Sequence, residues 1–380
     1  MLYSHKTKTI FLLTISLLII AGITGCDKEK KSKEFFIRLQ ETKSDDSVYA
    51  ICEKMYELTP KSKYGLYGKS YTFYVDNNMD SALVYIDKAL EIDFNFTEAY
   101  YVKGLIYIDK MLYDSAFIAF EKASDFGLKN SAIFTKLAFC NINRSKLEIA
   151  LSDLDKAIDL DKDNGEAYCY RGFIRAIEED EDAFERDMNK AEELGYNGWN
   201  FYLFKGKSNL ELSQTSEAVK NLKKAIEMKP EKPELYNELG IVYYKRGDFE
   251  EALKNVNKSI ELNPKKYVFY YNRGTTKTAL KQYRDAIVDF DKTIELNSEF
   301  ARAYTGKGIA YDNLKLYEEA MKCHNKAIEI DPEFGNAYLY RGILQFIMKG
   351  GDRKKGCEDL KKARDLDVEE AEEFIRLACR

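Results

Sequence analysis

Residues 233–266 read PELYNELGIVYYKRGDFEEALKNVNKSIELNPKK, and this stretch of 34 residues decides the fold. In its first half, apolar side chains recur every three to four residues, which is the spacing of an amphipathic helix. Gly247-Asp248 interrupts the pattern, the second half repeats it, and Asn263-Pro264 ends it. The stretch therefore predicts two helices joined by a tight turn, a hairpin that cannot bury its apolar faces alone.

The same pattern recurs along the chain at a constant interval of 34 residues. An aromatic side chain marks the interval at Tyr100, Phe134, Tyr168, Tyr202, Tyr236, Tyr270, Tyr304 and Tyr338. Small residues recur four places after each aromatic one, and seven of them are glycines. Because a glycine within a helix costs roughly 1 kcal/mol relative to alanine, close contact between two helices must offset that cost. A stack of like repeats explains the interval, since each repeat must offer its neighbour the same surface.

These residues resemble the tetratricopeptide repeat, a helix–turn–helix motif of 34 residues with aromatic, Leu-Gly, Tyr, Ala, Phe, Ala and Pro positions. The resemblance gives repeats that start at residues 63, 97, 131, 165, 199, 233, 267, 301 and 335. It implies an all-α fold, an α-solenoid of nine to ten repeats wound as a right-handed superhelix. The predicted organisation is a signal peptide at 1–25, a lipidated cysteine and charged tether at 26–34, a degenerate first repeat at 35–62, the repeat array at 63–367 and a capping helix at 368–380.

The N-terminus has the composition of an export signal. Lys6 and Lys8 precede the apolar run Ile10–Ile23, which is shorter than the roughly 20 residues that span a bilayer. The run ends in Ile23-Thr24-Gly25-Cys26, which resembles a bacterial lipobox, where the chain is cut before the cysteine and the cysteine carries lipid. We therefore expect lipidation of Cys26 and a location in the bacterial cell envelope, on the periplasmic or external side of a membrane, with the outer membrane favoured. An uncleaved anchor or an ordinary signal peptide is the alternative.

The composition of the rest of the chain indicates a charged tether, amphipathic helices and a negative net charge. The segment 27–34, DKEKKSKE, lacks apolar residues and predicts an extended tether that reaches about 25 Å at most. The content of 45% hydrophobic and 32% charged residues suits amphipathic helices. The formal net charge of −5 becomes more negative once the signal peptide, which holds two lysines and no acid, is removed. An acidic chain disfavours nucleic acid as a partner.

Catalytic and metal-binding patterns are scarce. After the signal peptide the chain has one histidine, His324, which falls in a predicted core stripe and is expected to be a core residue with satisfied polar atoms. GxxxxGK[ST], HExxH and CxxC motifs do not occur, and the repeats occupy the whole body. The acidic turn at 178–182 lacks the alternating ligands and central glycine of a calcium loop, which favours a solvated turn. We therefore predict no enzyme, no cofactor and no metal site.

The cysteines after Cys26 separate into two kinds. Cys52, Cys140 and Cys169 fall on or near predicted packing faces, where small buried thiols are common. From Cys357 the chain runs through about 12 Å of helix, turns, and returns through about 16 Å of the predicted closing helix to Cys379. Antiparallel helices of these lengths bring the two cysteines to the same level. Export would place them in an oxidising compartment, where a disulfide persists. A Cys357–Cys379 bridge is predicted, with two free thiols as the alternative.

Charged residues also follow the repeat. Arginines precede the repeat glycine at 171, 273 and 341, and acids occupy a shared place on second helices at 153, 289 and 359. The pattern favours ion pairs between helices. A ladder that binds a ligand is the alternative interpretation.

In the tetratricopeptide family the first helices line a concave groove, and their outward residues hold extended peptides or partner helices. By register, this face includes Tyr67, Tyr71, Tyr74, Tyr101, Leu105, Phe139, Phe173, Lys207, Asn237, Ile241, Tyr244, Tyr271, Thr275, Thr305 and Asp312. The lysine and asparagine set with which some family members bind a terminal carboxylate is not reproduced. Tyrosines among polar groups make good contact residues, because each contributes a large area at a small cost in entropy.

The resemblance and the N-terminus together imply a membrane-tethered scaffold that binds a protein or peptide partner in this groove. A glycan-binding lipoprotein of a nutrient-uptake system is the alternative function. Sugar sites favour tryptophan platforms, and Trp199 is the single tryptophan of the sequence, which counts against that alternative.

Overall fold

The computed structural model describes residues 25–41 and 45–379, and every regular element in those ranges is an α-helix. The 21 helices are α1 Gly25–Glu41, α2 Asp45–Leu58, α3 Lys63–Val75, α4 Met79–Ile92, α5 Thr97–Asp109, α6 Tyr113–Asp125, α7 Ser131–Asn143, α8 Leu147–Leu160, α9 Gly165–Ile177, α10 Glu181–Glu193, α11 Trp199–Glu211, α12 Thr215–Met228, α13 Pro233–Arg246, α14 Phe249–Leu262, α15 Tyr267–Ala279, α16 Tyr283–Leu296, α17 Ala301–Asn313, α18 Tyr317–Ile330, α19 Gly335–Ile347, α20 Arg353–Asp365 and α21 Glu370–Ala378. The predicted all-α class is confirmed.

From α3 to α20 the helices follow one another as nine helix–turn–helix repeats. The first helices of these repeats begin at residues 63, 97, 131, 165, 199, 233, 267, 301 and 335, as the 34-residue interval predicts. Consecutive helices pack against one another from α1 to α8 and from α11 to α21. The helix–turn–helix repeat fold is confirmed.

The repeat at 233 shows why the sequence folds in this way. Pro233 occupies the first turn of α13, where its missing N–H costs nothing, and Gly247 ends the helix with a left-handed φ of 88°. Ala252, Val256 and Ser259 are spaced by three and four residues and form the buried side of α14. The two helices therefore meet along one apolar side of the second helix.

In eight of the nine repeats, the turn between the two helices has a left-handed residue at the fifteenth place. Gly247 supplies it in one repeat, whereas seven others use residues with a Cβ atom and φ between 57° and 61°, namely Asn77, Met111, Ser145, Glu179, Ser213, Lys281 and Lys315. This conformation costs such residues about 1–2 kcal/mol. The packing of the two helices must therefore offset the free-energy cost of the left-handed backbone in the turn.

The repeat glycines lie where the two helices of a pair touch. A Cβ atom at Gly104 would come within 2.5 Å of the Phe120 ring, and one at Gly240 within 2.6 Å of Val256 Cγ2. Both distances are too short for real carbon contacts. The predicted reason for these glycines, close helix contact, is confirmed.

The chain divides into two compact bodies. The N-terminal body comprises the described residues up to Ile174 together with Asn189–Leu194. The C-terminal body comprises Arg175–Met188 and the chain from Gly195 onward. Each buries its own large apolar side chains, for example Ile86, Ile106 and Phe120 in the first and Leu222, Leu235 and Phe290 in the second.

The segment 27–34 differs from its prediction, because it is helical and lies within α1 instead of forming an extended tether. Ser32 is buried, and its hydroxyl accepts a hydrogen bond from Thr59 Oγ1 at 2.9 Å. Further along α1, the buried Phe36 ring packs 5.3 Å from Tyr67. Lysine and glutamate are good helix formers, and neighbouring helices hold the apolar part of α1 in place.

The predicted anchor can be compared with the structure only in part. Residues 1–24 and the side chain of Cys26 lie outside the described residues, and they include the predicted signal peptide and lipidation site. Among the helices that are described, none combines the length and the apolar character needed to cross a bilayer.

The closing helix α21 is shorter than the predicted 368–380 and is only partly buried. Ala371 is fully buried and Ile375 half-buried, but Phe374 is 37% and Leu377 73% exposed. This helix has nine residues, and neighbouring helices cover only part of its surface. The turn before α20 is two residues longer than the turn in the repeat at 301, and Gly350 in it has a φ of 82°.

Candidate binding site on the first helices

We use the term first-helix face for the fifth, sixth, ninth and twelfth residues of each repeat. In the N-terminal body, Tyr71, Tyr74 and Tyr101 lie half-buried on this face. The rings of Tyr71 and Tyr74 are 6.1 Å apart in an edge-to-face arrangement. These tyrosines expose part of each ring while neighbours fix its position, which suits a contact surface.

Polar groups on this part of the face satisfy one another. Lys136 Nζ lies 2.8 Å from Glu166 Oε1, and the Tyr170 hydroxyl donates to the same oxygen at 2.9 Å. Burial raises the pKa of Tyr101, with Lys136 lowering it and Glu166 raising it. Burial also raises the pKa of Tyr74, and the nearby Asp109 carboxylate adds to the shift. The charges here are therefore largely neutralised within the protein.

In the C-terminal body the same face contains a cavity of about 200 Å³. Three of its lining residues were predicted from the register, Ile241, Tyr244 and Thr275. The others are Gly240, Lys245, Val256, Asn272 and Thr276. The volume is below the roughly 300–1,000 Å³ typical of small-molecule sites, so it fits one side chain of a partner better than a cofactor.

A second cluster on the C-terminal body combines tyrosines with an acid. Burial raises the pKa of Tyr340, and Glu370, Tyr244, Tyr271 and Asp312 each raise it further. Burial alone raises the pKa of the Asp312 carboxyl. Tyr244, Tyr271, Asp312 and Glu370 therefore each lie within electrostatic range of Tyr340.

Several predicted contact residues are not available to a partner. Tyr67, Phe173, Asn237 and Thr305 are between 3% and 7% exposed and belong to the packing between helices. The Asn237 side chain accepts a hydrogen bond from Asn272 at 2.8 Å. These assignments to the binding surface are corrected here, because the fifth place is covered in the repeats at 63, 233 and 301 and the ninth place is covered in the repeat at 165.

The remaining predicted residues are half-buried, and packing fixes them. The Phe139 ring lies 5.3 Å from that of Tyr170, and Lys207 Nζ lies 5.8 Å from the Phe204 ring centroid. Tyr271 packs against Phe300 at 5.1 Å. Their exposed parts could still touch a partner without large rearrangement.

The register used for prediction missed the sixth place of the repeat. Lys136, Tyr170, Asn272 and Tyr340 all occupy it, and each takes part in one of the arrangements described above. The sixth place precedes the ninth by three residues and therefore shares its side of the helix. Helical spacing alone could have found these residues.

The arginine and aspartate ladder consists of ion pairs, as the sequence favoured. Arg273 Nη2 lies 2.6 Å from Asp289 Oδ1, and Arg341 Nη2 lies 2.6 Å from Asp359 Oδ1. Arg273 also donates to Asn257 on the preceding repeat at 3.0 Å, so it joins two second helices. Lys277 gives Asp289 a second cation at 2.7 Å. Since these acids already have partners, they are poor candidates for a ligand ladder.

The corresponding arginine of the repeat at 165 is Arg171. Its Nη1 atom lies 2.8 Å from Asp155, sixteen residues earlier in the chain, as Arg273 reaches back to Asn257. Asp153 accepts a hydrogen bond from Asn141 Nδ2 at 3.1 Å. The contact from an arginine to the second helix of the preceding repeat therefore recurs.

The acidic turn at 178–182 is exposed throughout, as predicted. The Asp180 carboxylate accepts the backbone N–H of Ala183 at 3.0 Å and so caps α10, and Arg175 pairs with Glu178 at 2.8 Å. In residues 25–41 and 45–379, no three histidine, cysteine or acidic side chains are grouped to hold a metal ion.

The buried thiols lack the features of reactive cysteines. Cys52, Cys140, Cys169 and Cys323 are buried. Burial raises the pKa of Cys52 and Cys140 to about 12 and contributes most to raising that of Cys323 to about 11. A thiol held protonated is a poor nucleophile and a poor metal ligand.

His324 is a core residue, as predicted, but its polar atoms are not satisfied. The side chain is fully buried, and neither ring nitrogen has a hydrogen-bond partner among the described residues. Burial lowers its pKa to about 3, with a smaller contribution from Arg341. The expectation of a satisfied histidine is therefore wrong.

Cys357 and Cys379, predicted as a pair, form a disulfide in the structure. The sulfur atoms are 2.07 Å apart and the Cα atoms 5.6 Å apart. The bridge connects α20 to the residue after α21, and it therefore fixes the closing helix to its single neighbouring pair.

The paired helices define the class of α-helical repeat proteins, and comparison with known proteins agrees. The tetratricopeptide repeat profile matches residues 233–266 and 301–334, a related profile of the same repeat matches 97–125, and a TPR repeat profile matches 206–247. The chain therefore contains tetratricopeptide repeats. No protein of curated function matches the sequence.

Two solved structures share the fold. Yeast Tom70 aligns with a TM-score of 0.54 at 16% identity, over 93% of this chain and 94% of that chain. A chain in the APC/C hetero-tetramer Cut9-Hcn1 aligns with a TM-score of 0.58 at 19% identity, over 86% of this chain and 66% of that one. At these identities the likeness concerns the fold alone.

Proposed function

We propose that this protein is a membrane-tethered scaffold that holds a protein or peptide partner against its first helices. Its repeats are those of scaffolds for protein–protein interaction. The observation that carries the proposal is the cavity of about 200 Å³ bordered by the half-buried Tyr244 and by Thr275. A partner side chain that entered it would exchange water for aromatic and apolar contact, the usual basis of an interface hot spot.

The proposed tether depends on the N-terminal sequence. The lipobox-like Ile23–Cys26 follows a short apolar run, and α1 starts at Gly25, directly at the proposed lipidation site. A helix at this point would keep the repeats close to the membrane surface. The Cys357–Cys379 disulfide supports export, because such bonds persist in oxidising compartments. We place the body on the periplasmic or external side of a bacterial membrane.

The binding face can be tested with a photo-reactive amino acid introduced at Thr275 on the first-helix face. The matched control carries it at Val288, which is 64% exposed on the second helix of the same repeat. We expect covalent products with a partner from position 275 and not from position 288, in cells that express the full chain. Equal yields at both positions, or products from position 288 alone, would contradict the proposal.

Lipidation is tested by mass spectrometry of the protein purified from membranes. We expect the mature chain to begin at Cys26 with acyl groups attached, and the Cys26→Ala variant to lose them and leave the membrane fraction. An unmodified Cys26, or a mature chain that retains Met1, would rule out the tether while leaving the scaffold proposal standing.

A further inference from the structure

A cluster of exposed aromatic rings lies on the N-terminal body, at the turns that join its repeats. Phe94 follows α4 and is 68% exposed, and Phe126 follows α6 and is 39% exposed. Their ring centroids are 6.3 Å apart, and the Phe126 ring lies 5.6 Å from that of the half-buried Tyr100. We use the term aromatic edge for these three residues. Large apolar groups that are exposed together are typical of surfaces that contact another protein or a membrane.

The packing of the repeats does not explain a phenylalanine at position 94. This is the thirty-second place of the repeat, where three other repeats have Pro230, Pro264 and Pro332. Two residues later, the buried Phe96 supplies the aromatic ring that packs inside the body. Because a ring that stays in water gains little from burial, Phe94 contributes little to folding. Its ring is therefore available to a surface outside the chain.

Helix α1 leaves the body on the same side as the aromatic edge. The Phe36 ring of α1 lies 5.3 Å from Phe96, in the turn before α5, and 5.3 Å from Tyr67 inside α3. One helical turn earlier, Ser32 accepts a hydrogen bond from Thr59, in the turn before α3. The direction from Phe36 to Ser32 therefore leads outward along α3 to the turns between repeats. The first residues of α1 continue in that direction and project beyond those turns.

The proposed lipidation site is close enough to bring lipid headgroups to the aromatic edge. Residue 26 precedes Ser32 by six residues, a distance of about 9 Å along the helix. The headgroup layer of one leaflet is about 5–8 Å thick. If the acyl chains begin at residue 26, the headgroups therefore extend nearly to the level of the turns that hold Phe94 and Phe126.

We propose that the aromatic edge enters the headgroup region of the membrane to which α1 is attached. Aromatic side chains favour this region, and apolar side chains of peripheral proteins enter it by about 5–10 Å. The proposal rests on the proposed tether and adds a second membrane contact, which fixes the orientation of the N-terminal body. Exposed charges of both signs border the rings, so the contact needs no anionic lipid; they are Lys61, Glu91, Asp125 and Lys129.

The test uses the full chain, purified from membranes, in nanodiscs of phosphatidylcholine with or without a doxyl group near the top of the acyl chain. A doxyl group quenches tryptophan fluorescence on contact. Phe94→Trp places a reporter on the aromatic edge. The matched control is Val84→Trp, because Val84 is 51% exposed on α4 and about 12 Å along that helix from its last residue. After subtraction of the wild-type Trp199 emission, we expect doxyl lipid to lower the fluorescence of Phe94→Trp about twofold and to leave that of Val84→Trp unchanged.

A second pair of variants tests whether the contact belongs to the edge. Addition of Phe126→Asp to Phe94→Trp should abolish the quenching, whereas addition of Ile118→Asp, at an exposed position on α6, should preserve it. Circular dichroism should show that both remain folded.

The outcomes separate this inference from the tether. If the chain associates with the nanodiscs but doxyl lipid quenches both reporters equally or neither, the inference is wrong and the tether stands. A Phe94→Trp reporter that is shielded from aqueous iodide yet not quenched by lipid would indicate a protein occupant, which also overturns the inference. Quenching that persists with Phe126→Asp would do the same. A chain that does not associate with nanodiscs would overturn the tether and this inference together.

Discussion

Replacement of Asp289 by alanine should destabilise the C-terminal body by about 3–5 kcal/mol. The Asp289 side chain is 2% exposed and accepts from two cations, Arg273 at 2.6 Å and Lys277 at 2.7 Å. Removal of one partner from a buried ion pair leaves the other charge uncompensated, and the cost is of this size. Here the variant would leave two cations beside the core of the repeat at 267.

Asp291 provides a matched control two residues away on α16. Its carboxylate also lies 2.6 Å from a lysine, Lys307, but its side chain is 53% exposed. Exposed pairs contribute at most about 1 kcal/mol, so Asp291→Ala should change stability little. Urea unfolding followed by circular dichroism, with hydrogen exchange to locate the loss, distinguishes the two variants. Similar small losses in both would mean that the buried pair stabilises no more than a surface pair.

The repeat interval determined most of the fold in advance. An error in one predicted helix boundary would have disturbed the common register, so nine repeats constrained one another and gave nine correct starting residues. The glycine at the eighth place was also predictable. A Cβ atom at Gly240 or Gly308 would come within 2.6 Å of the facing second helix, so glycine recurs at such contacts. This recurrence at a fixed interval is visible in a single sequence.

The candidate site was less predictable, because exposure depends on neighbours that the register does not specify. Tyr67 and Tyr271 share the fifth place, yet Tyr67 is buried and Tyr271 half-buried. Likewise, Glu166 finds a partner in Lys136 while Asp312 finds none. The helix at 25–41 was missed for a related reason: a charged segment without apolar residues gains its helix from the apolar stretch that follows it.

Acid should destabilise the C-terminal body through His324, by about 3 kcal/mol between pH 7 and pH 4.5. Burial lowers the pKa of the folded-state imidazole to about 3, against about 6.5 when unfolded. Below pH 6.5 the unfolded chain therefore binds a proton that the folded chain does not, and stability falls by about 1.4 kcal/mol per pH unit until pH 3. Above pH 6.5 both states are neutral, so this residue gives no pH dependence there.

His324→Leu tests both the sign and the size of this effect. Other repeats place apolar residues at the corresponding twenty-fourth position, among them Leu154, Leu222 and Phe290, and all are buried. Leucine should therefore fit beside Gly308 and remove two buried nitrogens that lack partners, stabilising the protein at pH 7 by about 1–3 kcal/mol. The stabilisation by leucine should be about 3 kcal/mol larger at pH 4.5 than at pH 7, because only the wild type loses stability through His324. The carboxylates titrate alike in both proteins, so their effects cancel in the difference. A gain that is the same at both pH values would show that the folded protein accommodates the charged imidazole.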